Sequence, residues 1–361
     1  MTNVPMTTRP HPGTHFFSGN HAPLGEERDL AALDVVGPLP PGLSGSLYRV
    51  GPNPRHAPRD PGYHWFAGDG MVHAFHIRGG AVAYRNRWAR TPRWQLEDEA
   101  GRALFGMFGN PAATDPLALG RNAGTANTQM LWHAERLFAL EEGHQPFELD
   151  PRTLASRGHQ DFDGGIPSRC TAHPKVDPET GELHFFAYAP DAPCSRTLSY
   201  GVMDARGRVT HQRAFEAPHA SMVHDFMLTR RHALFPVTPL TFDMDRARLG
   251  KPLLAWDAGR RTHVGVLPRG DVRGAVRWFE TDPCHVFHVM NAWEDGDTLV
   301  AHVMQSDAAP GLPLADGPPG DPGATAARLW RWTFDLGRAG NGFERECLDD
   351  LVAEFPRIDE R

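Results

Sequence analysis

The run Met71-Val-His-Ala-Phe-His-Ile-Arg78, then Gly79-Gly80, then Ala81-Val-Ala-Tyr-Arg-Asn-Arg-Trp88 decides the fold class. Apolar and polar residues alternate over several positions, the period of a half-buried strand. Two glycines then supply the positive φ that a tight hairpin turn requires. This spacing predicts a β-hairpin. Outward from it the same grammar recurs at 46–50, Arg136–Leu140, Phe147–Leu149, 172–176, 182–188, 199–204, 223–229, His232–Val237, 284–293 and 298–304, with Gly, Pro, Asp or Asn closing several of the runs. Turns at intervals of roughly 8–12 residues are the signature of a sandwich, barrel or propeller. A single sandwich uses about 100 residues, whereas a propeller spends ~40–50 per blade. The 361-residue length therefore favours an all-β propeller. Short helices are expected at 26–35 and 348–354, residues 1–28 read as an N-terminal arm, and 29–361 as one domain.

Composition bounds the function. With 40% hydrophobic and 22% charged residues the protein is globular, and a net charge of −7 argues against nucleic-acid binding. No run approaches the ~18 apolar residues of a membrane span. The opening residues lack the apolar region of a secretion signal, and Cys170, Cys194, Cys284 and Cys347 stand far apart, so a cytoplasmic location is expected. Lys175 and Lys251 are the only lysines among 37 basic residues, and neither has the apolar setting of a Schiff-base lysine. No Gly-x-Ser-x-Gly elbow is present, and Gly68-Asp69-Gly70 lacks the spacing of a phosphate loop.

The unusual count is 20 histidines. His173, His224 and His288 lie in extended, otherwise apolar runs, separated by 51 and 64 residues, about one blade each time. Inner strands of successive blades line a propeller's axis, so one inward imidazole per blade would converge on a point suited to a mid-row transition metal. The alternative is that each is a hydrogen-bonded strand residue. The His-x-acid pairs His133-Ala-Glu135 and His159-Gln-Asp161 are no more than chance provides in this composition.

Gly51-Pro-Asn-Pro54, Trp65-Phe-Ala-Gly-Asp-Gly-Met-Val-His73, Tyr84-Arg-Asn-Arg-Trp-Ala-Arg-Thr91, Gly124-Thr-Ala-Asn-Thr128, Leu140-Glu-Glu-Gly143, Ala172-His-Pro-Lys-Val-Asp177, Val223-His-Asp-Phe226, Phe287-His-Val-Met-Asn-Ala-Trp-Glu294 and Glu354-Phe-Pro-Arg-Ile-Asp359 follow in order. Together they closely resemble the signature of the carotenoid cleavage oxygenases, the family that includes retinal pigment epithelial membrane protein. The resemblance implies a seven-bladed propeller, with one axial Fe(II) held by four histidines and O2 as co-substrate. Three ligands carry over as His173, His224 and His288. His285, three residues before His288, falls on the opposite strand face and reads as structural. Glu142 and Glu354 are implied as acceptors for the outer N–H of ligand imidazoles. In the family's pattern the fourth histidine lies well beyond the Phe-Pro-Arg-Ile-Asp motif, so the resemblance implies a member truncated before its final blades, with its activity in doubt.

The implied reaction is oxidative scission of a conjugated C=C bond to two carbonyls. Two apolar substrate classes follow. Carotenoids or apocarotenoids, the reading favoured by sequence, need an apolar entrance, for which Leu104, Phe105, Met107, Phe108, Leu117 and Leu119 are candidates; peripheral contact with a membrane surface is the accompanying expectation. Phenolic stilbenes are the alternative. There, family members place a Lys where this sequence has Glu141 and a Tyr where it has Phe108. Phe66, Phe108 and Glu141 are the implied substrate-tunnel residues. A decayed, non-enzymatic propeller is the third reading.

Overall fold

The computed structural model describes residues 15–60, 63–107, 110–271, 273–315 and 322–359. Strands dominate, and the protein divides into two compact units, Met1–Cys170 and Thr171–Arg361.

In the first unit the decisive hairpin forms as its sequence requires. Gly70–Arg78 and Ala81–Trp88 pair antiparallel with Arg78 opposite Ala81, and Gly79 and Gly80 take φ of 59° and 79°. Both values lie in the left-handed region that glycine enters without penalty. Gly45–Pro52 flanks one side of the hairpin and Asp29–Leu30 the other. A second sheet follows in sequence order: Gln129–His133, Arg136–Leu140, Phe147–Leu149 and Ser156–His159. Val72, Ala74, Leu137, Ala139, Phe147 and Leu149 pack together as the core beneath these strands. The Gly68-Asp69-Gly70 motif is structural, because a Cβ on Gly70 would stand 2.1 Å from the Ala126 carbonyl oxygen.

The second unit contains three four-stranded antiparallel sheets. Lys175–Val176, Leu183–Tyr188, Thr197–Met203 and Val209–Glu216 form the first. The second joins Met227–Leu228, His232–Val237, Thr262–Pro268 and Arg277–Thr281, with a small hairpin, Leu240–Phe242 against Leu254–Trp256, inserted. The third holds His285–Asp295, Thr298–Ser306, Arg328–Asp335 and Glu344–Cys347. Phe186, Tyr200, Phe226 and Phe235 pack in one core cluster, and Val264, Phe279, Val303 and Trp332 in another. Each fully buried side group of this size contributes roughly 1.5–3 kcal/mol of transfer free energy.

Three expectations are corrected. Neither 26–35 nor 348–354 is helical. Asp29–Leu30 pairs with Arg85 and Tyr84 as a strand, and the backbone N–H groups of Leu348 and Ala353 donate to Leu329 and Ala327. Sheet-edge partners here override local helix propensity. Pro92–Ala100, in contrast, is a helix. Its signals stand in the sequence: Thr91 caps it by accepting from the Trp94 N–H, Pro92 opens it, and Gly101 closes it at φ 65°. Finally, His173 and His224 lie outside the ladders. The first sheet begins only at Lys175 and the second only at Met227. Pro174, having no N–H to give, cannot donate to a ladder before Lys175.

Candidate metal centre

His173 is set by the turn before the first sheet of the second unit, where its backbone N–H donates to Thr171 Oγ1 at 2.9 Å. His224 sits between Val223 and Phe226, both sunk in the core at 1% and 0% exposure, so the backbone on either side of the imidazole is pinned. His288 is aimed by a bulge. In the pairing of His285–Asp295 with Thr298–Ser306 the register shifts between Val286 and Val289, leaving Phe287 and His288 without ladder partners. A bulge of this kind re-aims a side group that regular pleating would send elsewhere.

The three rings converge. One nitrogen of each lies within 4.8 Å of the other two, and His173 Nε2 and His224 Nε2 are 3.0 Å apart. Ring centroids are separated by 4.6 Å (His173–His224), 5.2 Å (His173–His288) and 5.2 Å (His224–His288), with interplanar angles of 65°, 85° and 80°. Rings nearly perpendicular to one another present edges, and thus nitrogen lone pairs, to a shared point. Burial, reinforced by the neighbouring His224, holds the His173 pKa well below the ordinary histidine value, so this ring is neutral. Among the described residues this is the one group of three or more His, Cys, Asp or Glu side groups near enough to share an ion.

Glu354 accepts the His288 Nδ1–H at 2.8 Å and the Phe355 N–H at 3.0 Å. This contact fixes the tautomer, leaving the Nε2 lone pair of His288 for a ligand. Phe287 lies edge-on to His224 at 5.4 Å, and Phe355, at a left-handed φ of 59°, sits 5.0 Å from His288. His285 does not join the group: it is buried, its Nδ1 3.1 Å from Thr238 Oγ1 and its ring against Trp256 and Phe287.

Sequence reasoning missed Asp225 and Lys175. The Asp225 carboxylate is 3% exposed, pairs with Lys175 Nζ at 2.8 Å and accepts the Val289 N–H at 2.9 Å. Burial is the largest single influence and raises its pKa, but the Lys175 charge and the hydrogen bonds around the carboxylate together leave it below the ordinary value. The available signal was that one of only two lysines follows His173 by two positions while an Asp follows His224 directly.

The remaining sequence-derived residues belong to the first unit. Glu142 is half-buried on the turn after Arg136–Leu140. Glu141 is committed locally: it accepts from His144 Nδ1 and, at 3.0 Å, from the Gly143 N–H. Burial raises its pKa, and the His144 hydrogen bond and charge together with the Gly143 N–H more than reverse this. Phe66 is 53% exposed, its ring against His64. Phe108 lies outside the described residues. Of the candidate apolar entrance, Leu104 and Phe105 are instead buried in a small core with Ala118, while Leu117 and Leu119 stand exposed. No helix among the described residues is long and apolar enough to cross a membrane.

The sequence pattern described as retinal pigment epithelial membrane protein matches residues 21–361. The chain belongs to that family. Among its relatives, isoeugenol monooxygenase of Pseudomonas nitroreducens is 38% identical over 346 residues, covering 95% of this protein and 72% of the relative. The crystal structure of Pseudomonas brassicacearum lignostilbene dioxygenase superposes with a TM-score of 0.93 at 36% identity, covering 98% of this protein and 74% of that one. Cobalt-substituted Synechocystis apocarotenoid oxygenase gives 0.79 at 28%, covering 94% and 73%. These relatives are named as oxygenases of isoeugenol, lignostilbene and apocarotenoid, and the protein is an oxygenase by family.

Proposed function

We propose that this protein is a non-haem Fe(II) oxygenase acting on a phenolic aryl alkene of the isoeugenol or hydroxystilbene type. The bond it splits is the alkene conjugated to the aromatic ring, and the products are two carbonyl compounds. The observation that carries the reading is the convergence of His173, His224 and His288 with Glu354 on His288 Nδ1. The donor set fits the metal: three imidazoles, one of them held neutral by burial, have nitrogens near a common point, and an outer carboxylate adds negative charge. Bound Fe(II) would supply O2 activation. Scission of C=C by O2 to two C=O balances in atoms and electrons, so no nicotinamide or 2-oxoglutarate is needed.

The protein's own contribution is orientation and exclusion of water. Glu354 holds the His288 proton at Nδ1, the bulge at Phe287–His288 aims the ring, and Phe287 lies edge-on to His224 as an apolar wall. Preference for a phenolic alkene over a carotenoid rests on the likeness to the isoeugenol and lignostilbene enzymes. It also rests on Leu104 and Phe105, which are spent on core packing rather than on an apolar mouth. The repeated four-stranded sheets suit a propeller, whose count of seven blades rests on the resemblance. So do the roles of Glu142 as an imidazole acceptor and of Phe66 and Glu141 in substrate passage.

Incubating the Fe(II)-loaded protein separately with isoeugenol, a 4-hydroxystilbene and an apocarotenal tests the substrate class. Aromatic aldehyde from the first two is expected. Cleavage confined to the apocarotenal would return the carotenoid reading, and cleavage of none would remove the enzymatic one.

A further inference from the structure

The three histidines reach their common point from segments that ladder hydrogen bonds do not control. His173 and His224 precede their sheets, and His288 sits on a bulge. Something else must set their spacing, because a metal site needs its donors fixed to a few tenths of an ångström. Asp225 contacts all three segments. It is the residue after His224, its Oδ1 pairs with Lys175 Nζ two residues past His173, and its Oδ2 accepts the N–H of Val289, the residue after His288. Oδ1 also accepts the Phe226 N–H at 2.8 Å, fixing the carboxylate to its own segment.

We propose that the Lys175–Asp225 ion pair is a positioning device for the metal centre, a strut that holds the three histidine-bearing segments in mutual register; the inference rests on the metal-binding reading above. A carboxylate buried this deeply is costly unless it is paired and fully hydrogen-bonded, and here every contact goes to a ligand-bearing segment. The choice of cation supports the assignment. In a sequence where nearly all basic residues are Arg, a Lys stands here. Its compact ammonium reaches the buried oxygen, and the same nitrogen lies 5.8 Å from the Phe226 ring. Neither Asp225 nor Lys175 is assigned contact with substrate or metal.

The test is titration of the metal-free 361-residue protein with Co(II), reading affinity and the visible Co(II) spectrum for wild type, Asp225→Asn and Lys175→Met, with apo-protein thermal unfolding in parallel. Both variants are expected to bind Co(II) about 10–100-fold more weakly and with an altered spectrum. A change in unfolding temperature alone would mark a merely structural pair. Lys175, with a side group 26% exposed, provides the variant that folds should Asp225→Asn fail to. Arg246→Met is the control. It strips buried hydrogen bonds to Thr241, Pro252 and Leu253 around the inserted hairpin, none of them shared with the strut. It should lower the unfolding temperature and leave the Co(II) spectrum as in wild type. Wild-type affinity and spectrum in both strut variants would overturn the strut while leaving the metal centre standing. A wild-type protein that takes up no Co(II) would overturn the metal centre and the strut with it.

Discussion

His184, buried, and His173, half-buried, are both imidazoles of the second unit, and desolvation lowers both pKa values, yet they sit in opposite kinds of network. His184 has a partner on each nitrogen: the Tyr200 hydroxyl is 2.7 Å from Nδ1, and Arg269, itself paired with Asp177, is 2.8 Å from Nε2. The Nε2 of His173, instead, faces the Nε2 of His224 at 3.0 Å, with His288 alongside. A histidine whose nitrogens both end on protein donors and acceptors is a fastener. Histidines whose nitrogens end on one another call for an electron-pair acceptor, and a cation is the group that satisfies all three at once.

The sharpest break between the two networks is expected from alanine. His224→Ala should bring turnover down to the uncatalysed background and remove metal from the purified protein, read by product formation and elemental analysis, with the fold retained by circular dichroism. Turnover equal to wild type would end the ligand assignment. Next in size is Glu354→Gln, which keeps the shape but weakens the acceptor on His288 Nδ1; metal affinity or activity should fall about 10–100-fold. An unchanged value would make Glu354 a bystander.

The fastener should respond in stability and not in chemistry. His184→Ala leaves the Tyr200 hydroxyl and part of Arg269 unpaired in the core, at a cost of about 1–3 kcal/mol per lost buried partner, measured by denaturant unfolding. Metal content per folded molecule should not change. The smallest effect is in pH. The His184 pKa is lowered to about 3, chiefly by burial and then by Arg269. The folded state therefore stays neutral where the unfolded polypeptide, near 6.5, takes up a proton. Its stabilisation is complete above pH 6.5 and is lost as pH falls from there towards 3, with a slope of at most ~1.4 kcal/mol per pH unit. In His184→Phe this acid limb should flatten; an identical limb would place the titrating group elsewhere.

Much of this was legible in sequence because it depends on local rules. Gly79-Gly80 specified the hairpin, since few other pairs enter two left-handed conformations cheaply. The three converging histidines were visible as polar residues in apolar runs at blade-like intervals. Glu354 was legible through its motif, not through periodicity. Asp225 and Lys175 were not read as a pair, because their positions are 50 residues apart and the one sequence signal, a Lys and an Asp each beside one of the histidines, does not say that the two meet. The failed helix at 348–354 has the same cause: its backbone partners, Leu329 and Ala327, are distant in sequence. Leu104 and Phe105 misled for a related reason. An apolar cluster in a loop reads the same whether it faces solvent or packs beneath its own turn, and only the fold shows that it packs.

Anomalous diffraction at the iron edge, from crystals grown with Fe(II) under exclusion of oxygen, addresses the central claim most directly. The account predicts one strong peak per molecule, lying between the imidazoles of residues 173, 224 and 288. No peak there, or a peak at any other cluster of side groups, would contradict it.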